Sequence, residues 1–288
     1  MRRFGLGAEA RFPDFAKFVA ARHESYGLGR TPGEVRRNYF TTAERLDRAP
    51  VADTTGVMFR LFVFVHLYSD GQFPAMAQLW QSLNTGDESA VRRQVDEQRM
   101  RGPLDGPGFA AAPTGGAAGE PSPNDNAFSA FLAVTCNDVD WSEDVATYQR
   151  NVEADRARNP LFGAAAANIT PCAYWRHEPS EPPVEISDDG PSNVLILQNL
   201  RDPATPREGG QLLREAFGDR SRLVEVDQGG HGVYVFDDNP CALNVTTTYL
   251  VEGERPDDMV CAASKEPGLK LDSDAQRLRA KTLDRLRG

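Results

Sequence analysis

Asn193–Tyr234, NVLILQNLRDPATPREGGQLLREAFGDRSRLVEVDQGGHGVY, changes its hydrophobic period twice within 42 residues. Val194-Leu195-Ile196-Leu197 is a continuous apolar run, the pattern of a strand covered on both faces. Thr205 is a good N-cap, with Pro206 at the first helical position and Glu208 at the third, so a capping box predicts a helix there. Leu212, Leu213, Ala216 and Phe217 give that helix one apolar face, and Gly218 ends it. Arg222–Asp227 reads as a second short strand. A helix between two strands makes a βαβ crossover, so the strands are expected to be parallel, with their carboxyl ends at one edge.

Asp202 comes just after the first of these strands and His231 just after the second. Sites in open α/β sheets gather at the carboxyl ends of strands, which brings this carboxylate and this imidazole together. An Asp that accepts from one imidazole nitrogen orients the ring and leaves the other nitrogen as a general base. Taken singly, Asp-Pro is a turn and a loop histidine is a solvated side chain. With Thr205 read as the cap, Asp202 has one structural duty fewer, and the pair at matching positions points to chemistry. Glycines at 229, 230 and 232 leave the backbone around His231 free for unusual torsions.

The segments NVLILQNLRDPATP and GGHGVY, with Asn239-Pro240-Cys241-Ala242 and Ala133-Val134-Thr135-Cys136-Asn137-Asp138, resemble the tripeptidyl-aminopeptidase-like α/β-hydrolases, relatives of the prolyl aminopeptidases. The resemblance runs from about Phe15 to Cys261. It implies an α/β class with an incomplete α/β-hydrolase fold, a helical lid followed by the last βαβ portion of the sheet. The triad of that fold runs Ser, Asp, His along the chain, so Asp202 and His231 would be its acid and base. The family's earlier half carries a GGPG-type oxyanion segment and a Ser in a G-x-S-Y-G elbow, and neither motif occurs in these 288 residues. The expected partners are that missing half, with its Ser nucleophile, and a peptide substrate with a free N-terminus, from which short peptides such as tripeptides are released. No metal or organic cofactor is implied. A non-catalytic binding remnant and an esterase on the same scaffold are the alternatives, because substrate class rests on the resemblance alone.

Ser25, in His23-Glu24-Ser25-Tyr26-Gly27, precedes Asp202 and His231 in the right order. A nucleophile elbow needs a preceding strand and a small residue two before the Ser. Ser25 comes after a helical pattern and has His23 at that position, so it reads as a helix end.

A net charge of −10 provides no basic patch for nucleic acid or an anionic membrane. The opening MRRFGLGAEARF lacks the apolar core of a signal peptide. The longest apolar run, Val57–Tyr68, contains Arg60 and His66 and is too short to span a bilayer. Cys136, Cys172, Cys241 and Cys261 show no C-x-x-C spacing, which argues against zinc. Four cysteines can pair in three ways, of which the sequence-local choice, 136 with 172 and 241 with 261, is the expected one; four reduced, buried thiols are the alternative to any pairing. Disulfides imply an oxidising compartment, and a secreted complete protein reconciles them with the absent signal peptide.

Residues 1–100 read as consecutive helices of a lid or cap region. Phe15, Phe18, Val19 and Arg22 fit one face, Thr31-Pro32-Gly33-Glu34 opens a second helix as a capping box, and Asp70 caps a third carrying Phe73, Met76, Leu79, Trp80 and Leu83. Residues 101–126 read as a flexible linker or lid insertion, since 16 of the 25 positions from Arg101 to Asp125 are Gly, Pro or Ala and cannot bury enough to offset ordering. Residues 127–262 form the C-terminal hydrolase portion. Within it Ala127–Thr135 is ambiguous between helix and strand, Val139–Arg158 is a charged helix, and Asn244–Val251 is a closing helix. Asp138 stands either to hold a substrate's amino terminus or in a plain surface turn. Asn168 and Asn244 begin sequons, informative only in a glycosylating pathway. His66 reads as a packing residue and His177 as a loop residue. Residues 263–288 read as a charged helical tail, solvated or bound to a partner. Two clear core strands cannot by themselves carry this many helices, so exposed apolar sheet edges are expected.

Overall fold

The computed structural model describes residues 1–100, 123–234 and 236–264. The chain divides into two units, Met1–Pro183 and Val184–Gly288. Most of the segment read as a linker, and the tail beyond residue 264, lie outside the described residues.

The first unit is helical among its described residues. It contains α1 (Arg3–Ala20), α2 (His23–Tyr26), α3 (Pro32–Arg48), α4 (Gly56–His66), α5 (Phe73–Thr85), α6 (Glu88–Met100), α7 (Pro123–Asp138), α8 (Val145–Arg158) and α9 (Gly163–Ala166). Apolar stripes from α1, α3, α4 and α5 meet in an aromatic core. Phe12, Phe15, Tyr39, Phe59 and Trp80 are each at most 2% exposed, with edge-on or stacked ring contacts between them. The two polar tips in this core are satisfied. Tyr39 Oη donates to Leu161 O at 2.6 Å, and Trp80 Nε1 donates to Thr42 Oγ1 at 3.0 Å. Burial also pushes the Tyr39 phenol above its ordinary pKa.

Thr31 caps α3 as its sequence predicts, accepting from Glu34 N at 3.2 Å, while the Glu34 carboxylate reaches Arg30 N at 2.7 Å. Three local expectations are corrected. Asp70 is not a cap: Ser69 accepts from Gly71 N, and Asp70 instead accepts from the buried Arg11 guanidinium. The charged helix starts at Val145 rather than Val139, because Asp144 takes the Ala146 and Thr147 amides at 3.1 and 3.0 Å. The ambiguous stretch is helical, and α7 begins at Pro123, inside the region read as linker. Cys136 on α7 is bonded to Cys172.

The second unit holds a parallel sheet in the order β1 (Val194–Arg201), β2 (Ser221–Gly229), β3 (Met259–Cys261). The expected crossover is there, with α10 (Arg207–Phe217) between β1 and β2, and Gly218 at its end with φ +50°. β3 was missed by sequence reasoning, so the expectation of two strands is corrected to three among the described residues.

Strand alternation gives the sheet two different faces. On one, Val224, Val226, Leu195 and Leu197 pack with Ala242 and Val245 of α11 (Pro240–Glu252) and with Cys261. On the other, Glu225 receives a two-nitrogen fork from Arg207 at 2.6 and 2.8 Å, and Gln211 adds a third bond at 3.1 Å. The Arg207 fork holds the Glu225 carboxyl below its ordinary pKa. Both faces are therefore covered by helices, as the apolar run on β1 predicts. The Cys241–Cys261 disulfide ties α11 to β3. Among the described residues no helix is long and apolar enough to cross a membrane.

Candidate active site

β1 and β2 are in register from Val194↔Ser221 to Asn199↔Val226, and the next pairing is Arg201↔Gly229. Two steps on β1 therefore match three on β2. Such a bulge at the end of a strand re-aims the chain beyond it, and His231 lies two residues past this one. Gly230 and Gly232, on either side of His231, have φ of +111° and +89°, which a residue with a Cβ adopts only under strain.

Asp202 lies at the carboxyl end of β1 and is 4% exposed. Its Oδ1 accepts from the Ala204 and Thr205 amides, both at 2.8 Å, and its Oδ2 from Thr205 Oγ1 at 2.9 Å. His231 Nδ1 approaches the same carboxylate at 3.1 Å from Oδ1 and 3.0 Å from Oδ2. Thr205 Oγ1 is 3.3 Å from that nitrogen. A carboxylate only accepts, so Nδ1 carries the proton and the ring's lone pair falls on Nε2. The imidazole is 42% exposed at its side chain while its carboxylate is 4% exposed. An oriented, half-exposed base on a buried, multiply hydrogen-bonded acid can take a proton from a nucleophile and keep the resulting imidazolium paired.

Thr205 does not do what its sequence context predicts. The first residue of α10 is Arg207, and Pro206 before it offers no side-chain cap. The Asp202 carboxylate captures both the Thr205 amide and hydroxyl, so the threonine serves the acid and not the helix.

Of the other named candidates, Asp138, Ser25, Cys136 and Cys172 lie in the first unit, and Cys241 and Cys261 in the second. Asp138 is exposed and is the last residue of α7; its neighbour Asn137 accepts from Trp175 Nε1 at 2.9 Å. Ser25 is exposed in the single-turn helix α2, which Gly27 closes at φ +68°, without the preceding strand an elbow requires. Cys136–Cys172 and Cys241–Cys261 are the two disulfides, in the sequence-local pairing. His66 is a buried packing residue, with Nδ1 2.7 Å from Phe62 O.

Comparison with known proteins gives a family match and several partial relatives. A family described as TAP-like protein matches residues 159–261, a span that includes both Asp202 and His231. Residues 159–261 are a TAP-like α/β-hydrolase domain. A tripeptidyl aminopeptidase of Streptomyces lividans is 29% identical over 263 residues, covering 90% of this chain and 46% of the relative. Carboxylesterase B of Mycobacterium tuberculosis is 28% identical over 133 residues, covering 44% of this chain and 25% of its own length. Serine protease Hip1 of the same species is 27% identical over 138 residues, covering 46% and 25%. The chain thus spans about half the length of the tripeptidyl aminopeptidase it matches. Around Asp202 and His231, sequence reasoning overlooked Gln198 and Asn199. The signal was a polar pair at the end of an otherwise apolar strand.

Proposed function

We propose that this chain carries the acid and base of a serine hydrolase, with Asp202 orienting His231 and His231 deprotonating a serine. The observation that carries the reading is the Nδ1 contact of His231 with a buried carboxylate at 3.0 Å, after adjacent parallel strands. Supplied by a segment outside these residues, the serine would attack a carbonyl while His231 Nε2 takes its proton. The same nitrogen would return the proton to the leaving amine, and oxyanion donors would come from the same outside segment.

The similarity to tripeptidyl aminopeptidases favours peptides with a free N-terminus as substrates and release of short peptides as the reaction. Under this reading residues 1–100 act as a lid that limits substrate length, and Asp138 offers a carboxylate to the substrate's ammonium group. Two disulfides favour an oxidising, extracytoplasmic setting for the whole protein. An esterase is the second reading, favoured by the similarity to a carboxylesterase.

Peptidyl p-nitroanilides with free and acetylated N-termini, together with p-nitrophenyl esters, separate these readings in the chain extended through its upstream reading frame. Cleavage of the free-amine peptide, lost on acetylation, supports the exopeptidase. Turnover of esters alone supports the esterase, and turnover of neither contradicts both.

A further inference from the structure

We infer that Asn199 is a positioning residue for the base: its carboxamide holds the turn that carries His231 against the acid. Residues 195, 197 and 199 share one face of β1. The first two join the apolar cluster, and Asn199, 1% exposed, breaks it. Its Nδ2 donates to Gly230 O and to Gly232 O, each at 3.0 Å. Two hydrogens meet two acceptors, one on either side of His231. Reversing the carboxamide would set Oδ1 against two carbonyl oxygens, so its orientation is dictated by the chemistry.

The turn itself has little stiffness, because Gly230 and Gly232 both have positive φ. A further anchor comes from the same strand, where Gly230 N donates to Arg201 O at 3.2 Å. The adjacent Gln198 does the matching work on the acid side, donating from Nε2 to Thr205 O at 2.8 Å and Asn199 O at 3.0 Å. Acid and base loops are thus both referenced to two neighbouring residues of β1. Packing alone does not account for the choice of Asn. Its Oδ1 is buried without a hydrogen-bond partner among the described residues, which a leucine or valine there would avoid.

This inference rests on the proposed role of His231 as a base, but its test needs no turnover, so the two can fail separately. The full chain is labelled with ¹⁵N-histidine, and His231 is assigned by its disappearance in His231→Gln. The wild-type neutral ring is expected as the Nδ1–H tautomer. In Asn199→Ala the two nitrogen resonances are expected to converge, as both tautomers become populated. Asn239→Ser is the control for loss of stability, since Asn239 Nδ2 supports Ala262 O at 2.9 Å elsewhere in the same unit. It should leave the His231 pattern unchanged. An unchanged pattern in folded Asn199→Ala, or equal changes in both variants, overturns the inference. Should Asn199→Ala not fold, exchange of the Asn199 side-chain amide in the wild type decides. Both hydrogens protected like the β1 amides support it, and exchange at the rate of a solvated amide overturns it.

Discussion

Asp202 Oδ2 stands 3.0 Å from His231 Nδ1 and 2.9 Å from Thr205 Oγ1, so one carboxylate shapes its own loop and orients the imidazole. The two tasks are linked: the amides that buckle the loop also keep the acid from rotating away from the ring.

Asp202→Asn separates them. The amide oxygen still accepts from Ala204 and Thr205, so the loop should survive with a stability change within about 1 kcal/mol. An NH₂ facing Nδ1 imposes the wrong tautomer on His231. In the extended protein the turnover rate should fall by about 10⁴-fold with little change in melting temperature. Near wild-type turnover would remove Asp202 from the mechanism.

The Glu225–Arg207 pair predicts acid sensitivity. The folded-state pKa of Glu225 is lowered by Arg207, so the stabilisation is present above the unfolded pKa and is lost as pH falls through the folded one. Arg207→Met should lower stability at neutral pH by roughly 1–3 kcal/mol and flatten its acid dependence. Urea unfolding midpoints between neutral pH and about pH 3, below the ordinary range for Glu, check this.

Loss of the Cys241–Cys261 bond, which closes a sequence separation of 20, should cost about 3 kcal/mol in the loop-entropy picture. β3 pairs with β2 over only three residues, so its amides should lose exchange protection first when Cys241→Ser/Cys261→Ser is compared with the wild type. Unchanged protection would mean that pairing alone holds β3.

In the helical unit, a Cβ on Gly163 would fall 2.2 Å from Asp155 O and 2.9 Å from Asn159 Cβ. Gly163→Ala must move backbone, and it should destabilise the unit by about 1–3 kcal/mol in thermal unfolding. A wild-type melting temperature would show that α8 and α9 separate freely.

The crossover was legible because its signals are local: an unbroken apolar run, an amphipathic helix and a second short run, with Asp202 and His231 just past the strands. β3 was not, since Met259–Cys261 is too short for alternation to register and depends on a disulfide partner 20 residues earlier. Thr205 misled because capping propensity is a local preference, and the buried Asp202 carboxylate competes for the same groups. Ser69 took the role expected of Asp70 for a related reason, as the buried Arg11 draws that carboxylate away. The pinning of two loops by Gln198 and Asn199 joins residues up to 33 positions apart, which no window along the chain reveals.

Labelling with a fluorophosphonate probe, on this chain and on the chain extended through its upstream reading frame, addresses the role of His231 most directly. A general-base role for His231 predicts labelling of the extended protein alone, abolished by His231→Ala. Labelling of the 288-residue chain lost on Ser25→Ala would place the nucleophile inside these residues, and labelling of the extended protein that survives His231→Ala would contradict the general-base role.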